Sequence, residues 1–539
     1  MKWKVIVCIC AAAALWACNG GDNQDGKTKA KSAKSERDLT ITPANSYSDL
    51  FLDSMEVERF IADQKISEAQ ATDLRRFYNF RNFQFAWFSG DGLTEQTLSF
   101  RTLYDYDRDS ASSRKKLDNT LDDLLNNDSL QKISASAKIK KTELMLSWRY
   151  VNYLDRKYSS ESERTRALAS LVPSKKAPVM QVAERVTKES WNEPKEYRDL
   201  KAALKRYMEF VNNGGFPEIP VPKKAIKPGS HNETITLIKK RLAAEGAFST
   251  NDTTPEYNDK LVDAVKSSQA RYGLEADGII GKSWIGELNV PASKRVEQIL
   301  INLERMKWMP EAPEGRLILV NIPEFRMHIF DNKSKDFDMD IVVGKEGNST
   351  INFSGELNQV VFNPYWNVPR SIVAKEVLPG IDQNPDYLEE HKMEITGEED
   401  GLPVVRQIPG DHNALGQVKF LFPNSFNIYF HDTPEKELFK KTKRAYSHGC
   451  IRLSEPMKLA NYLLEDSDWD QVKVDSTLAA GEEKYVRIKN PVPVIIAYNT
   501  CWINDRGLIE FRDDIYNFDK KVTGKLFSRE SAQTLAKNN

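Results

Sequence analysis

After Pro313 the spacing of apolar residues changes, and that change limits what the chain can fold into. The runs Arg316-Leu-Ile-Leu-Val-Asn-Ile322, Arg326-Met-His-Ile-Phe330, Met339-Asp-Ile-Val-Val343, Gln359-Val-Val-Phe362, Gln417-Val-Lys-Phe-Leu421 and Asn427-Ile-Tyr-Phe430 are short and rich in β-branched or aromatic residues. Gly, Pro, Asn or Asp bounds many of them. They predict a mainly β domain, a sandwich or closed barrel, continuing to about residue 520. Upstream the period is helical: Leu144, Trp148, Val151 and Leu154 form one apolar stripe, and Asp118, Leu121, Leu124 and Leu125 suggest another helix. The expected fold class is therefore multidomain α+β, with a helical part first and a β-rich part last.

The segment 218–230 carries three prolines and reads as a semi-rigid linker at the end of the helical region, which spans about 46–230. Beyond it, Ile235, Ile238 and Leu242 have helical spacing. Leu261, Val265 and Tyr272 mark a second helix ended by Gly273, Asp277-Gly278 makes a turn, and Trp284, Ile285 and Leu288 sit on a short third helix.

At the other end, Lys2 and Lys4 precede the apolar run Val5–Ala17, whose 13 residues fall short of the ~20 a membrane-spanning helix needs. Residues 1–17 read as a secretory signal. Leu15-Trp16-Ala17-Cys18 resembles a bacterial lipobox, which implies acylation of Cys18 and a membrane tether through lipid, with 18–45 a polar, flexible spacer. Cleavage near Ala17 without a lipid is the alternative. With 77 Lys+Arg against 78 Asp+Glu there is no basic excess to coat a nucleic acid.

Removal of Cys8 and Cys10 with the signal, and acylation of Cys18, leave two thiols, Cys450 and Cys501. A disulfide between them is one reading. The surroundings of Cys450 suggest another: Phe430-His431-Asp432-Thr433-Pro434, then Ser447-His448-Gly449-Cys450-Ile451-Arg452-Leu453. His431 closes an apolar strand. Cys450 sits in a glycine-containing loop before a helix expected to be capped by Ser454, with Glu455 and Pro456 in its first turn. An imidazole near such a thiol can take its proton, and successive backbone N–H groups can hold an oxyanion, so thiolate attack on an amide is the natural chemistry. Zinc ligation by His431, His448 and Cys450, with His412, is a further alternative.

The His431/Ser447-His448-Gly449-Cys450 pattern, with Ser447 sixteen residues after His431, resembles the active-site motif of the L,D-transpeptidases of YkuD fold. Asn321-Ile-Pro-Glu-Phe-Arg-Met327, Asn363-Pro-Tyr-Trp-Asn-Val-Pro-Arg-Ser-Ile372, Asn413-Ala-Leu-Gly416 and Phe511-Arg-Asp-Asp-Ile-Tyr516 extend the resemblance to the large YcbB-type subgroup. Ala264-Val-Lys-Ser-Ser-Gln269, Tyr272-Gly-Leu274 and Ala276-Asp-Gly-Ile-Ile-Gly-Lys282 look like the three-helix peptidoglycan-binding module. The implied order is a helical scaffold at 46–230, a peptidoglycan-binding domain at 231–291, a catalytic domain of YkuD-like sandwich form at 310–520 with a cap insertion at about 376–411, and a C-terminal tail at 521–539.

The resemblance implies Cys450 as nucleophile and His431 as base, oriented by the carbonyl of Asp432. It makes the N–H groups of His448, Gly449 and Cys450 candidates for the oxyanion hole, with Ser447 and His448 shaping the loop. Arg452 is a candidate partner for a substrate carboxylate, and Tyr365 and Trp366 for the cleft wall. No cofactor or metal is implied. The implied partner is peptidoglycan with diaminopimelate-containing stems, acted on by an exported, periplasmic lipoprotein that forms 3-3 cross-links. L,D-carboxypeptidase or D-amino acid exchange at the same site, or a non-catalytic wall tether, are the competing functions.

Overall fold

A computed structural model describes residues 36–106, 114–126, 133–248, 252–310 and 313–528. The expected signal 1–17, Cys18 and the spacer as far as residue 35 lie outside the described residues, as do 529–539. Among the described residues no helix is long and apolar enough to cross a membrane.

The first helical unit packs the helix Ala137–Lys157 against Glu68–Phe80, using the expected stripe: Leu144, Val151 and Leu154 are buried and Trp148 is half-buried. Aromatic rings fill its centre, with Trp87, Phe100 and Tyr150 in mutual contact. The fully buried Glu143 ties the chain entering this core, accepting hydrogen bonds from the N–H groups of Ala86 (2.7 Å) and Trp87 (3.0 Å).

A second core corrects the expectation of a proline-rich spacer. Ile235, Leu242, Leu261, Val265, Trp284 and Ile285 of the three-helix module share one apolar cluster with Leu200, Leu204, Cys501, Phe511 and Val522. The stretch 218–230 is packed into this unit: Ile219 and Ile226 are buried, Ile226 pairs with Ile280, and both backbone groups of Ile219 bond the Asn289 side chain. Two isoleucines among the prolines give this segment apolar surface to bury, which a free spacer lacks. The expected tail at 521–539 is also corrected for its described part. The helix Phe518–Leu526 buries Val522, and Phe527 comes after it in the same core.

Arg305, on the helix Ala292–Met306, joins these units. It pairs with Glu95 of the first helical unit and donates to Asp519 of the last helix at 2.6 Å, all three side chains being largely buried. Arg305→Ala leaves two buried carboxylates facing one another without a cation, so we expect a loss of about 3–5 kcal/mol in chemical denaturation.

The β domain consists of β1 (Arg316–Asn321), β2 (Arg326–Asp331), β3 (Ser334–Gly344), β4 (Phe353–Phe362), β5 (Val418–Leu421), β6 (Phe430–His431), β7 (Ala445–Ser447), β8 (Ile451–Leu453) and β9 (Lys484–Ala497). The strand order is β7-β3-β8-β6-β5-β4-β9-β1-β2, and β2 also pairs with β3, so the sheet closes on itself. Of the two forms expected, it is the closed one. Alternate residues fill its interior, among them Ile318, Val320, Met327, Ile341, Val360, Phe420, Phe430, Ile451 and Val494. Two local expectations change. The strand expected from Asn427 shrinks to β6, because Asn427 has a left-handed backbone and the Asn424 side chain accepts from the N–H groups of Phe426 and Ile428 to hold a turn. The helix after Cys450 is Pro456–Leu464 with Glu455, not Ser454, at its N-cap. β8 intervenes, and the N–H of Ser454 is already committed to Asp340 O at 3.0 Å.

Between β4 and β5 lies a small lobe of three strands, Trp366–Asn367, Leu402–Gln407 and Met393–Glu399, with helical turns between the first and the others. Val368, Ile372, Val373, Val377 and Val405 form its own core. This is the expected insertion, with its first paired strand ten residues before Glu376.

Candidate active site

Strand register brings the sequence-predicted residues together. β6 runs parallel to β8, with Phe430 opposite Ile451 and His431 opposite Arg452. Phe430 and Ile451 are fully buried in the barrel core. Side chains alternate along a strand, so His431 and Arg452 share the other face, with Tyr429 and Cys450 in the residues just before each strand. The N–H of Ile451 donates to Tyr429 O at 3.1 Å, which extends the pairing back to the residue beside Cys450.

The His431 ring is only 5% exposed, and its Nδ1 lies 2.5 Å from the carbonyl oxygen of Asp432. A carbonyl can only accept, so Nδ1 carries the proton and Nε2 keeps its lone pair. Burial lowers the imidazole pKa to about 3, with the nearby cations of Arg452 and Lys436 adding to the effect. Asp432 is itself fixed: its carboxylate accepts from the N–H of Gln417 at 3.0 Å and from Lys436. Gly416 makes this possible, since a Cβ there would lie 2.3 Å from the Asp432 carboxylate.

Cys450 is half-buried, and its Sγ donates weakly to Asn427 O at 3.7 Å. Burial pushes the thiol up to about 11, opposed by hydrogen bonding to Tyr429 and by the Arg452 charge. In this arrangement both members of the pair are neutral at pH 7.

The loop before Cys450 is held from several sides. Ser447 donates its hydroxyl to Cys450 O at 2.5 Å and accepts from the N–H of Gly449 at 3.2 Å. Thr350 donates to Gly449 O at 2.9 Å and accepts from Gly344 N at 3.0 Å, and the Tyr516 hydroxyl donates to Gly344 O at 2.5 Å. Gly449 has φ +119°, a region that only glycine enters freely. Its N–H is thus already used, which removes it from the three expected oxyanion donors. Among the described residues the N–H groups of His448 and Cys450 have no protein acceptor.

The remaining candidates are placed unequally. The His448 ring turns outward and contacts Glu376 Oε1 of the insertion at 3.1 Å. Arg452 pairs with Glu435 and keeps a buried Nε without a partner. Trp366 and Cys450 both lie beside the Tyr429 side chain, whereas Tyr365 lies under the Arg406 guanidinium at 4.2 Å and braces the insertion. Sequence reasoning missed Tyr429, although it stands two residues before His431, just ahead of the same strand. It also missed Glu376 as the partner of His448, a contact with no local sequence signal. Cys501 is a free, fully buried thiol in the second core and Cys450 is also free, so the disulfide reading is corrected. No three His, Cys, Asp or Glu side chains converge as metal ligands among the described residues.

Residues 315–494, which hold His431, Cys450 and Arg452, match the L,D-transpeptidase catalytic domain. The chain carries an L,D-transpeptidase catalytic domain. Ahead of it, residues 72–209 match a scaffold domain and residues 231–286 a family described as "Putative peptidoglycan binding domain". A Haemophilus influenzae protein named "Putative L,D-transpeptidase" is 30% identical over 252 residues, covering 43% of this chain and 51% of that protein. The chain thus spans about half the length of the curated relative it matches. Among solved structures, an L,D-transpeptidase from Stackebrandtia nassauensis is 11% identical, covering 52% of this chain and 98% of that one, with a TM-score of 0.21. One from Mycobacterium smegmatis is 13% identical, covering 34% and 58%, with a TM-score of 0.19. Likeness at that level transfers no residue role. The roles at this catalytic domain's site rest on its own geometry.

Proposed function

We propose that this protein is an exported L,D-transpeptidase that forms 3-3 cross-links between diaminopimelate residues of neighbouring peptidoglycan stems. The observation that supports this reading is that register-paired neighbouring segments carry a thiol and an imidazole with its lone pair on Nε2, beside two N–H groups without protein acceptors among the described residues. Cys450 Sγ attacks the carbonyl at the L-centre of diaminopimelate in a tetrapeptide stem while His431 Nε2 takes its proton. The N–H groups of His448 and Cys450 hold the resulting oxyanion. Collapse breaks the carbon–nitrogen bond, the proton passes from His431 to the departing amine of D-alanine, and a thioester remains on Cys450. An amine then resolves the thioester to give the cross-link.

The three-helix module at 231–291 supports attachment to the wall, and acylation of Cys18 would hold the protein at a membrane face in the periplasm. Incubation with a disaccharide-tetrapeptide tests the reading. Cross-linked dimers and free D-alanine are expected, and an absence of both products from folded protein overturns the enzymatic assignment. Tripeptide as sole product would make the protein an L,D-carboxypeptidase.

A further inference from the structure

The proposed oxyanion hole uses two N–H groups, and each belongs to a peptide unit whose carbonyl is held from behind. The His448 N–H shares a peptide with Ser447 O, which accepts from the N–H of Lys345 at 2.9 Å. The Cys450 N–H shares one with Gly449 O, which accepts from the Thr350 hydroxyl at 2.9 Å. A trans peptide is planar with its N–H and C=O opposed, so fixing the carbonyl aims the N–H. Both grips come from one short segment, residues 344–350, which leaves the end of β3. We propose that Thr350 and Tyr516 are positioning residues for acyl transfer, holding this segment as a rigid mould for the oxyanion hole. The inference rests on the function proposed above and names what sets the aim of its two donors.

The mould is closed at its two ends. The Thr350 hydroxyl that donates to Gly449 O also accepts from the N–H of Gly344 at 3.0 Å, so one oxygen ties both ends to the cysteine loop. The Tyr516 hydroxyl donates to Gly344 O at 2.5 Å and accepts from the N–H of Thr350 at 3.4 Å. Burial pushes that hydroxyl up to about 12, so it keeps the proton it donates. Between the ends, the N–H of Asn348 donates to Lys345 O at 2.9 Å. Asn348 O passes so close to Gly344 that a Cβ there would lie 2.0 Å from it. Thr350 is fully buried and Tyr516 is 4% exposed, so water does not compete for these bonds.

Tyr516 is fixed in turn. Its N–H donates to the Tyr498 hydroxyl at 3.0 Å, and its ring stacks on Tyr498 with centroids 5.7 Å apart. The next residue, Asn517, donates from its side-chain amide to Glu346 at 3.2 Å. The motif Phe511–Tyr516 thereby gains a task that its distance in sequence from Cys450 conceals.

The substrate carbonyl gains its charge only during attack, and donors already aimed at that place need no reorganisation then. A peptide whose carbonyl accepts a hydrogen bond is also more polarised, which strengthens its N–H as a donor. Thr350 thus acts on the transition state and leaves binding of the unreacted stem nearly untouched.

Three variants of the full-length protein test this. Thr350→Val removes the hydroxyl at nearly the same volume, Thr350→Ser keeps it, and Tyr516→Phe removes only the clasp on Gly344 and Thr350. With disaccharide-tetrapeptide, Thr350→Val is expected to lower the maximal acylation rate about 10–100-fold with KM nearly unchanged, a part of the ~10²–10³-fold effect of a whole oxyanion donor. Thr350→Ser should recover to within about threefold of the unaltered rate, and Tyr516→Phe should fall about 3–10-fold. Alkylation of Cys450 by iodoacetamide forms a carbon–sulfur bond and releases iodide without an oxyanion. It should therefore keep the wild-type rate in all three variants, which also checks the fold. Wild-type acylation by both Thr350→Val and Tyr516→Phe, or equal losses in acylation and alkylation, overturns the inference. Should the unaltered protein form no thioester from the tetrapeptide, the function proposed above falls. Acetylation of Cys450 by p-nitrophenyl acetate, compared across the same variants, then decides the positioning role by the same criteria.

Discussion

Cys450→Ala is expected to abolish thioester formation with tetrapeptide, lowering the rate of donor consumption by more than about 10³-fold while the protein stays folded. The magnitude follows from the role. The sulfur makes the covalent bond, and no other thiol among the described residues is accessible, since Cys501 is fully buried in the second core. Folding is spared because the thiol holds little in place. Its hydrogen bond to Asn427 O is weak at 3.7 Å, and the barrel core faces the other way through Phe430 and Ile451. The loop geometry depends on Ser447, Gly449 and Thr350, all of which remain. Intact-mass spectrometry after incubation with tetrapeptide reads the loss, and near-ultraviolet circular dichroism reads the fold. Wild-type donor consumption in a folded variant would end the assignment of the nucleophile.

The residues that carry chemistry were legible because their placement depends on nearby residues. His431 ends one short strand, Cys450 directly precedes another, and Gly449 has a positive φ that suits glycine. What sequence could not show depends on contacts between distant segments. The packing of 218–230 comes from Ile219 and Ile226 finding Asn289 and Ile280, which periodicity does not reveal. The use of the Gly449 N–H by Ser447 comes from a loop conformation that also needs Thr350, a hundred residues upstream. Closure of the sheet through β2 and β3 depends on strand length: β3 runs eleven residues, of which only Met339–Val343 show a clear apolar pattern. The lobe between β4 and β5 was visible as an insertion, but its grip on the site through Glu376 and Trp366 was not.

The neutral pair at the centre makes a second large effect testable by its pH dependence. His431→Ala is expected to slow acylation by about 10²–10⁴-fold at pH 7, the usual range for loss of a general base. The imidazole titrates near pH 3 and the thiol near pH 11, so in the unaltered protein the form with neutral ring and neutral thiol predominates between them. Its acylation rate should therefore be flat from about pH 5 to 9, falling on the acid side as His431 gains its proton and loses the lone pair on Nε2. Without that base the reaction must use free thiolate, whose fraction below its pKa grows about tenfold per pH unit. The deficit in His431→Ala should thus shrink steadily between pH 7 and 10, measured as the rate of adduct formation on Cys450. A variant that kept both the wild-type rate and the flat profile would place the base on another residue. A steep profile in the unaltered protein would mean that the thiolate forms before attack, and that Nε2 does not take the proton during it.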